Sequence, residues 1–357
     1  MTPARRGDPQ PARRTRRPHP APHRIQTLNT KTPTAPAAGS PPAAALHRRA
    51  LLLMIIASFL WSIAGVFTRH LEQARGWEVT FWRSLFALIF MLGVLVWTRR
   101  AQGARGAWLA VRETGWAGVV SGAMWATMFT CFMLALTRTT TANTLIVNSL
   151  SPLFAAALAW LVLKQPIARR TWLAIFIAIA GMAWMFQAGI AADKAALAGT
   201  LIAFGVPVAS AINVVTLKRV GHAVDLVPAV LLGALFSVAL ALPLALPLQA
   251  SAHDVAILGF LGFFQLGLPC MLMVRASRHL SAPEISLLTL LEVIQGPLWS
   301  WLFAGEAIAA STLSGGVLVL VALVLNEAAA LRQRSAAPAP RTAVLPPERS
   351  PRAAGNR

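Results

Sequence analysis

One long apolar stretch, residues 281–303, carries the polar side chains best suited to chemistry inside a membrane. At about 1.5 Å per residue, a helix of this length crosses a hydrocarbon core of about 30 Å. Glu292 lies near its middle, where a carboxylate costs about 2.5–3.5 kcal/mol on insertion scales and seldom faces lipid. At 100° per residue, one side of the helix is a polar stripe within an arc of about 80°. Its members are Glu284, Leu288, Glu292, Gln295 and Trp299.

Two interpretations of this stripe remain open. Glu292 can be a structural glutamate that is hydrogen-bonded inside a helix bundle. Alternatively, the stripe lines a hydrated path for a substrate or for protons, because ionisable residues at membrane depth commonly mark such paths. The second interpretation makes Glu292 the predicted proton-coupling residue, with Gln295 and Trp299 as predicted cavity residues.

The composition excludes a soluble protein. The chain has 357 residues, 56% of them hydrophobic and 12% charged, with a mean hydropathy of +0.62. These values predict an all-α polytopic membrane protein. Cys131 and Cys270 both lie in apolar stretches, and we expect neither a disulfide nor a metal site from them.

Half of the basic residues lie at the two ends of a chain whose net charge is +20. Residues 1–49 hold ten of the 32, and residues 329–357 hold six. These ends are rich in Pro, Ala and Arg and cannot bury a core, so we expect disordered cytoplasmic tails and no nucleic-acid partner. Because no small-residue cleavage site follows the N-terminal basic run, we expect residues 50–68 to form an uncleaved first membrane helix.

Ten apolar stretches follow one another along the chain, separated by short polar loops. They cover residues 50–68, 79–98, 115–136, 141–163, 171–188, 197–217, 226–247, 254–274, 281–303 and 311–328. The loops after the even-numbered stretches hold eleven Lys and Arg residues, whereas those after the odd-numbered stretches hold four. Because cytoplasmic loops carry the excess of basic residues, both termini are predicted to be cytoplasmic.

The ten stretches divide into two sets of five. Residues 138–171 align with residues 278–312 at an offset of 140 to 141, so that Lys164-Gln165 meets Gly305-Glu306. An odd number of helices per unit turns the second copy upside down. The sequence therefore predicts two inverted five-helix repeats, residues 50–188 and 197–328, which in many secondary transporters enclose a site near the midplane.

Four segments resemble the EamA-like branch of the drug/metabolite transporter superfamily. They are LLMIIASFLWSIAGVFTR (52–69), FWRSLFALIFML (81–92), TANTLIVNSLSPLFAAALAWLVLKQPI (141–167) and SAPEISLLTLLEVIQGPLWSWLFAGEAI (281–308). With the helix count, the resemblance covers about residues 50–328. It implies a ten-helix inner-membrane transporter of small organic solutes, often an exporter, with a central cavity between the repeats. These motifs are diffuse hydrophobic patterns, so they specify the fold better than the substrate.

The chain departs from the pattern of this family in both halves. The first half has Lys164-Gln165 where the family usually shows Gly-Glu, which the second half keeps as Gly305-Glu306. Val293 replaces the proline that often follows the mid-helix glutamate, whereas the first half retains Pro152. These departures argue against a strictly symmetric site.

Polar residues on other stretches complete the predicted site. Asn148 and Ser151 share a face within an arc of about 60°, and Ser151 lies opposite Glu292 in the repeat alignment. Both residues either line the cavity or hold helices together. Trp61 either walls the cavity or packs between helices. Gln265 is a further cavity residue on a stretch whose proline makes a hinge or a simple kink.

Arg83 stands about one turn inside the stretch 79–98. Its side chain can snorkel to the membrane interface, with Glu78 near the same surface. The resemblance, which includes this arginine in FWRSL, implies instead a gating role or the binding of a substrate carboxylate.

No GxxxxGK[ST] stretch occurs, so no Walker-type ATP site is expected, and transport must be facilitated, exchanged or ion-coupled. We expect a secondary transporter of amino acids or amphipathic compounds, without cofactor or metal, for which a monomer of ten helices suffices. One alternative is a flippase for lipids or lipid intermediates on the same scaffold. An integral-membrane transferase is a weaker alternative, because the pairs His222 with Asp225 and His253 with Asp254 lack further ligands.

Overall fold

Apolar sequence folds into helices because a helix satisfies its own backbone hydrogen bonds within lipid. The computed structural model describes residues 43–100, 103–190, 194–220 and 226–336, and every regular element within them is helical. In chain order these are α1 Ala43–Ser62, α2 Ala64–Arg69, α3 Trp77–Thr98, α4 Gly103–Glu113, α5 Gly115–Leu136, α6 Thr141–Asn148, α7 Ser151–Leu163, α8 Arg169–Ile190, α9 Lys194–Ala203, α10 Gly205–Val220, α11 Leu226–Ala245, α12 Ala252–Phe260, a π-helical segment Leu261–Gly267, α13 Leu268–Ala276, α14 Ala282–Ala304 and α15 Ala310–Ala336.

Nine candidate membrane spans occur among the described residues. Five are the continuous helices α3, α5, α11, α14 and α15, and four combine consecutive helices: α1–α2, α6–α7, α9–α10 and α12 through α13. The prediction of an all-α polytopic membrane protein is confirmed. The predicted count of ten is not exactly confirmed, because α8 is not among the nine candidate spans found in the described residues.

The helix α8 nevertheless runs antiparallel to the candidate span α15. Near its start, the Thr171 hydroxyl donates to the Asn326 side chain at 2.8 Å, and further along, Trp184 Nε1 donates to Ser314 Oγ at 3.0 Å. Residue numbers therefore increase along α8 in the direction in which they decrease along α15. A tenth membrane span would also run antiparallel to α15.

Large apolar side chains cover the outside of the helices, as a lipid-facing surface requires. Leu52, Phe176 and Phe303 are among many that are well exposed. The interior is also apolar, and Ala57, Met91 and Leu145 are among its buried residues. Because apolar side chains lie both inside and outside, the buried polar side chains are the informative ones.

Two boundaries differ from the predicted ones. The helix α1 begins at Ala43 and α15 continues to Ala336, so the parts of the predicted tails that the structure describes are helical; residues 1–42 and 337–357 lie outside the described residues. The short helix α4 occupies a segment interpreted from the sequence as a loop. Within it Trp108 is exposed and Ala110 is buried.

The aligned repeat positions share an unusual backbone conformation. Lys164 follows α7 with φ 54°, and Gly305 follows α14 with φ 63°, both in the left-handed region. Glycine adopts this conformation freely, whereas a side chain there costs about 1–2 kcal/mol. The two helices thus end in the same way at positions that the sequence alignment had paired.

Contacts between helix ends define two ends of the bundle. At the Arg69 end, which we name after this residue, Arg69, Thr141 and Glu306 are in contact. At the opposite, Lys218 end, Lys218 contacts Gln165. Each contact joins helix ends that the alternating topology places on the same side, so these contacts agree with it.

Candidate substrate and proton site

Glu292 lies in the middle of α14 and is 8% exposed. Its Oε1 accepts a hydrogen bond from Asn148 Nδ2 at 3.1 Å. Asn148 is the last residue of α6, which the repeat alignment pairs with the start of α14. The structure therefore brings the predicted amide and the predicted carboxylate into direct contact across the two repeat-related segments.

The helix is interrupted beside this contact. After Asn148, the residues Ser149 and Leu150 form a turn before α7 begins at Ser151. The Ser151 hydroxyl donates to the Asn148 carbonyl at 2.7 Å, so it satisfies a carbonyl that the interruption frees. Ser149 and Leu150 keep right-handed helical backbone angles, so the span α6–α7 is locally distorted at this turn and continues through it.

The helix α1 ties α14 into the bundle through two polar contacts. Ser58 Oγ donates to the Leu288 carbonyl at 2.7 Å, and Trp299 Nε1 donates to Ser62 Oγ at 3.1 Å. Ser62 Oγ in turn donates to the carbonyl of Phe59 at 2.7 Å. Trp299 is therefore held in one orientation by α1, next to the interruption of that span at Ile63.

The polar stripe of α14 is divided between two roles. Gln295, one turn beyond Glu292, has a buried Oε1 without a hydrogen-bond partner. Glu284 belongs elsewhere, because its carboxylate accepts from Ser281 N at 2.7 Å and lies 3.3 Å from His47 Nε2. Glu284 therefore caps the start of α14. This corrects the interpretation in which Glu284 and Glu292 line one continuous path.

Arg83 forms a second polar group, with Gln265 and Trp61. Arg83 is 1% exposed; its Nη1 donates to Gln265 Oε1 and its Nη2 to the Phe129 carbonyl, each at 3.0 Å. Gln265 Nε2 donates to the Trp61 carbonyl at 3.4 Å. Gln265 lies in the π-helical segment, a distortion that is frequent at functional sites.

The snorkelling interpretation of Arg83 is wrong, because the side chain is buried among α3, α5 and the π-helical segment. Glu78 is engaged elsewhere. Its Oε1 accepts from the backbone of Gln249 and Ala250 at 2.8 and 2.7 Å, and so anchors the segment before α12.

An ionic cluster that the sequence interpretation missed lies at the Arg69 end. Glu306 accepts from Thr141 N at 2.6 Å, from Thr141 Oγ1 at 2.8 Å and from Arg69 Nε at 3.1 Å. Arg69 Nη2 also donates to the Thr139 carbonyl at 2.7 Å. We call Arg69, Thr139, Thr141 and Glu306 the Arg69 latch. Its sequence signal was the Gly-Glu pair, which marked Glu306 without revealing its partners.

Potential metal ligands among the described residues meet at Glu72, His253 and Asp254. Asp254 is fully buried, and its two oxygens accept from the backbone of Glu72, Gln73 and Ala74 at 2.7–2.8 Å. These bonds account for the carboxylate as a loop anchor. Cys131 and Cys270 are both free thiols.

Residues 48–187 and 197–327 each match the EamA-like transporter family. The chain belongs to this family. The two matched segments fall on either side of the loop that separates α8 from α9. This EamA-like protein is therefore a multi-pass membrane transporter, and its family points away from an enzyme.

Two relatives share 24% identity with this EamA-like transporter over 290 residues, which is 78% of this chain and 96% of theirs. They are the pseudopaline exporters CntI of Pseudomonas aeruginosa strains UCBPP-PA14 and PAO1. A protein of known crystal structure has the same fold, with a TM-score of 0.53 and 16% identity, over 81% of this chain and 99% of that one.

Proposed function

We propose that this protein exports a small organic metabolite across the bacterial inner membrane by alternating access, in exchange for protons that bind Glu292. The observation that carries the proposal is the contact of the buried Glu292 with Asn148, next to the turn within the span α6–α7. In many inverted-repeat transporters, substrate and coupling-ion sites lie near the midplane at the interface between the repeats. Amino acids and amphipathic compounds are the proposed substrates.

The surroundings of Glu292 support a proton as its ligand. The helix α14 packs against α1, α2, α6 and α15. Among their charged residues, Arg69 pairs with Glu306, His47 lies against Glu284, and Glu327 accepts from Asn326. None of the described basic side chains pairs with Glu292, so a proton can neutralise it without displacing a cation. Arg48 and Arg49 are exposed at the start of α1.

The names of the relatives support export as the direction of transport, because both are pseudopaline exporters. With both termini in the cytoplasm, as the loop charges predict, the Arg69 latch faces the outside. A closed outer end is compatible with export, because an exporter takes up its substrate from the cytoplasm.

Metabolite profiling of the growth medium tests the function. Cells that produce the wild-type protein should enrich at least one metabolite in the medium, and Glu292→Gln should abolish this enrichment. Glu284→Gln is the matched control, because it makes the same change on the same helix and glutamine also serves in a capping box. Enrichment is expected to persist in this control.

Uptake of the identified metabolite into inside-out vesicles then tests the coupling. An imposed pH gradient should drive uptake by the wild-type protein at least tenfold faster than uptake by Glu292→Gln. If Glu292→Gln keeps the full pH-driven flux, the proton role is wrong even though transport itself stands.

A further inference from the structure

Arg83 has hydrogen-bond donors that the protein does not use. A guanidinium carries five N–H donors in a planar fork. The structure accounts for one on each Nη atom, through Gln265 and the Phe129 carbonyl. The buried Nε has no hydrogen-bond partner. Nε and the remaining Nη hydrogens are the arrangement that binds a carboxylate with two parallel bonds.

No carboxylate of the described residues pairs with Arg83. The described glutamates near membrane depth are engaged elsewhere, Glu292 with Asn148 and Glu78 with a backbone segment. The guanidinium also lies over the Phe129 ring, 5.9 Å from its centroid. A buried charge without a counter-ion is costly, and buried charges in proteins are normally paired.

A second unused donor belongs to a residue that packs against the same phenylalanine. The Trp125 ring is 5.5 Å from the Phe129 ring, and its buried Nε1 has no hydrogen-bond partner. Both Arg83 Nε and Trp125 Nε1 are pure donors. The partner that would satisfy them must supply acceptors, and an anionic oxygen is the strongest acceptor.

We infer that Arg83 binds the carboxylate of the transported metabolite, so that the substrate class is organic acids, including zwitterions. This inference rests on the proposed function and specifies its substrate. Arg83 binds the ligand through Nε and Nη, Gln265 and the Phe129 carbonyl hold the guanidinium in place, and Trp125 packs against Phe129.

The helix α1 connects this subsite to Glu292. The Trp61 carbonyl accepts from Gln265 on one side of α1, while Ser58 and Ser62 contact α14 on the other. Substrate binding at Arg83 and protonation of Glu292 therefore act on the same interrupted helix. This arrangement gives the two events a physical connection without contact between them.

Metabolite profiling of the medium tests the substrate class. Each compound that the wild-type protein enriches should carry a carboxylate that is ionised at pH 7. Arg83→Gln should lower its flux at least tenfold, and Arg83→Lys, which keeps the charge but loses the fork, should retain part of it. Arg138→Gln is the matched control, because it removes an exposed arginine and should leave the flux unchanged.

A measurement on the wild-type protein alone covers the case in which Arg83→Gln does not fold. The methyl ester of the identified compound should compete for vesicle uptake at least tenfold more weakly than the free acid. An enriched compound without a carboxylate, equal competition by the ester, or undiminished flux in Arg83→Gln would each overturn the carboxylate subsite alone. If the wild-type protein enriches no compound, the proposed function fails and this inference falls with it.

Discussion

The two repeat-related helix ends share a backbone and differ in chemistry. At the end of α14, Gly305 is left-handed and Glu306 is held by the charged and polar groups of the Arg69 latch. At the end of α7, Lys164 is left-handed, and the following Gln165 accepts one bond, from Lys218 Nζ at 3.3 Å. Gln165 and Lys218 are exposed, whereas the Glu306 side chain is 12% exposed.

This difference indicates which end opens more easily. Hydrogen bonds to a charged group contribute about 1.5–3 kcal/mol, and an exposed polar contact contributes much less. The Lys218 end also has the contact of His47 with Glu284, but that contact is partly exposed and depends on the charge of the histidine. Because the contacts at the Arg69 end are stronger than those at the Lys218 end, we expect the resting protein to be closed at the Arg69 end.

Removing the Glu306 carboxylate tests most directly whether the Arg69 latch closes its end of the bundle more firmly than the contacts at the Lys218 end. Glu306→Gln should open the Arg69 end because it removes the ion pair and weakens both bonds to Thr141. The reporter is Ser300→Cys, a buried position hydrogen-bonded to Thr141, in a chain with Cys131→Ala and Cys270→Ala. Labelling by an impermeant maleimide from the Arg69 side should accelerate about tenfold or more.

Glu72→Gln is the control for this change, because Glu72 is an exposed glutamate at the same end. It should leave the labelling rate unchanged. Equal labelling rates in Glu306→Gln and the parent chain would show that the latch does not close this end.

Substitutions at the two left-handed positions test the shared backbone conformation separately from the contacts of Glu306. Gly305→Ala should destabilise the protein by about 1 kcal/mol, because alanine is strained at positive φ. Lys164→Gly should stabilise it by up to about the same amount. Thermal unfolding of the purified variants should therefore shift in opposite directions; shifts of the same sign would refute the shared conformation.

A carboxylate introduced at the Lys218 end should have a smaller effect, on the rate of export. Gln165→Glu places an acid beside Lys218, and an exposed ion pair is worth about 0.2–1 kcal/mol. Export of the identified metabolite should slow by about 1.5–5-fold, because the Lys218 end opens less often. Gln165→Ala should change export by less than this, and faster export in Gln165→Glu would contradict the unequal strength of the contacts at the two ends.

Much of the fold followed from the sequence, because hydropathy and repeat alignment report on local and repeated features. The alignment paired Lys164 with Gly305 and Ser151 with Glu292, and the helical spacing placed Asn148 on the same face as Ser151. Hydropathy does not specify which side chains meet between helices that are far apart in the chain. The contact of Arg83 with Gln265 and the partners of Glu306 were therefore missed.

Local distortions were missed for a related reason. The interruption at Ile63 and the π-helical segment lie within continuous apolar sequence, so no change of composition marks them. The π-helical segment lies close to α3 at Gly262, where a Cβ would be 2.6 Å from the Arg83 carbonyl. The sequence showed the glycine but not the helix that approaches it.

The central claim is that the polar centre beside Glu292 opens alternately to the two faces of the membrane. A single cysteine at position 151, introduced as Ser151→Cys in the chain with Cys131→Ala and Cys270→Ala, tests it most directly. A small charged methanethiosulfonate reagent is applied to right-side-out and to inside-out vesicles. We predict that this thiol reacts from both sides, and faster from the Lys218 side. A thiol that reacts from one side alone, or from neither, would contradict the account.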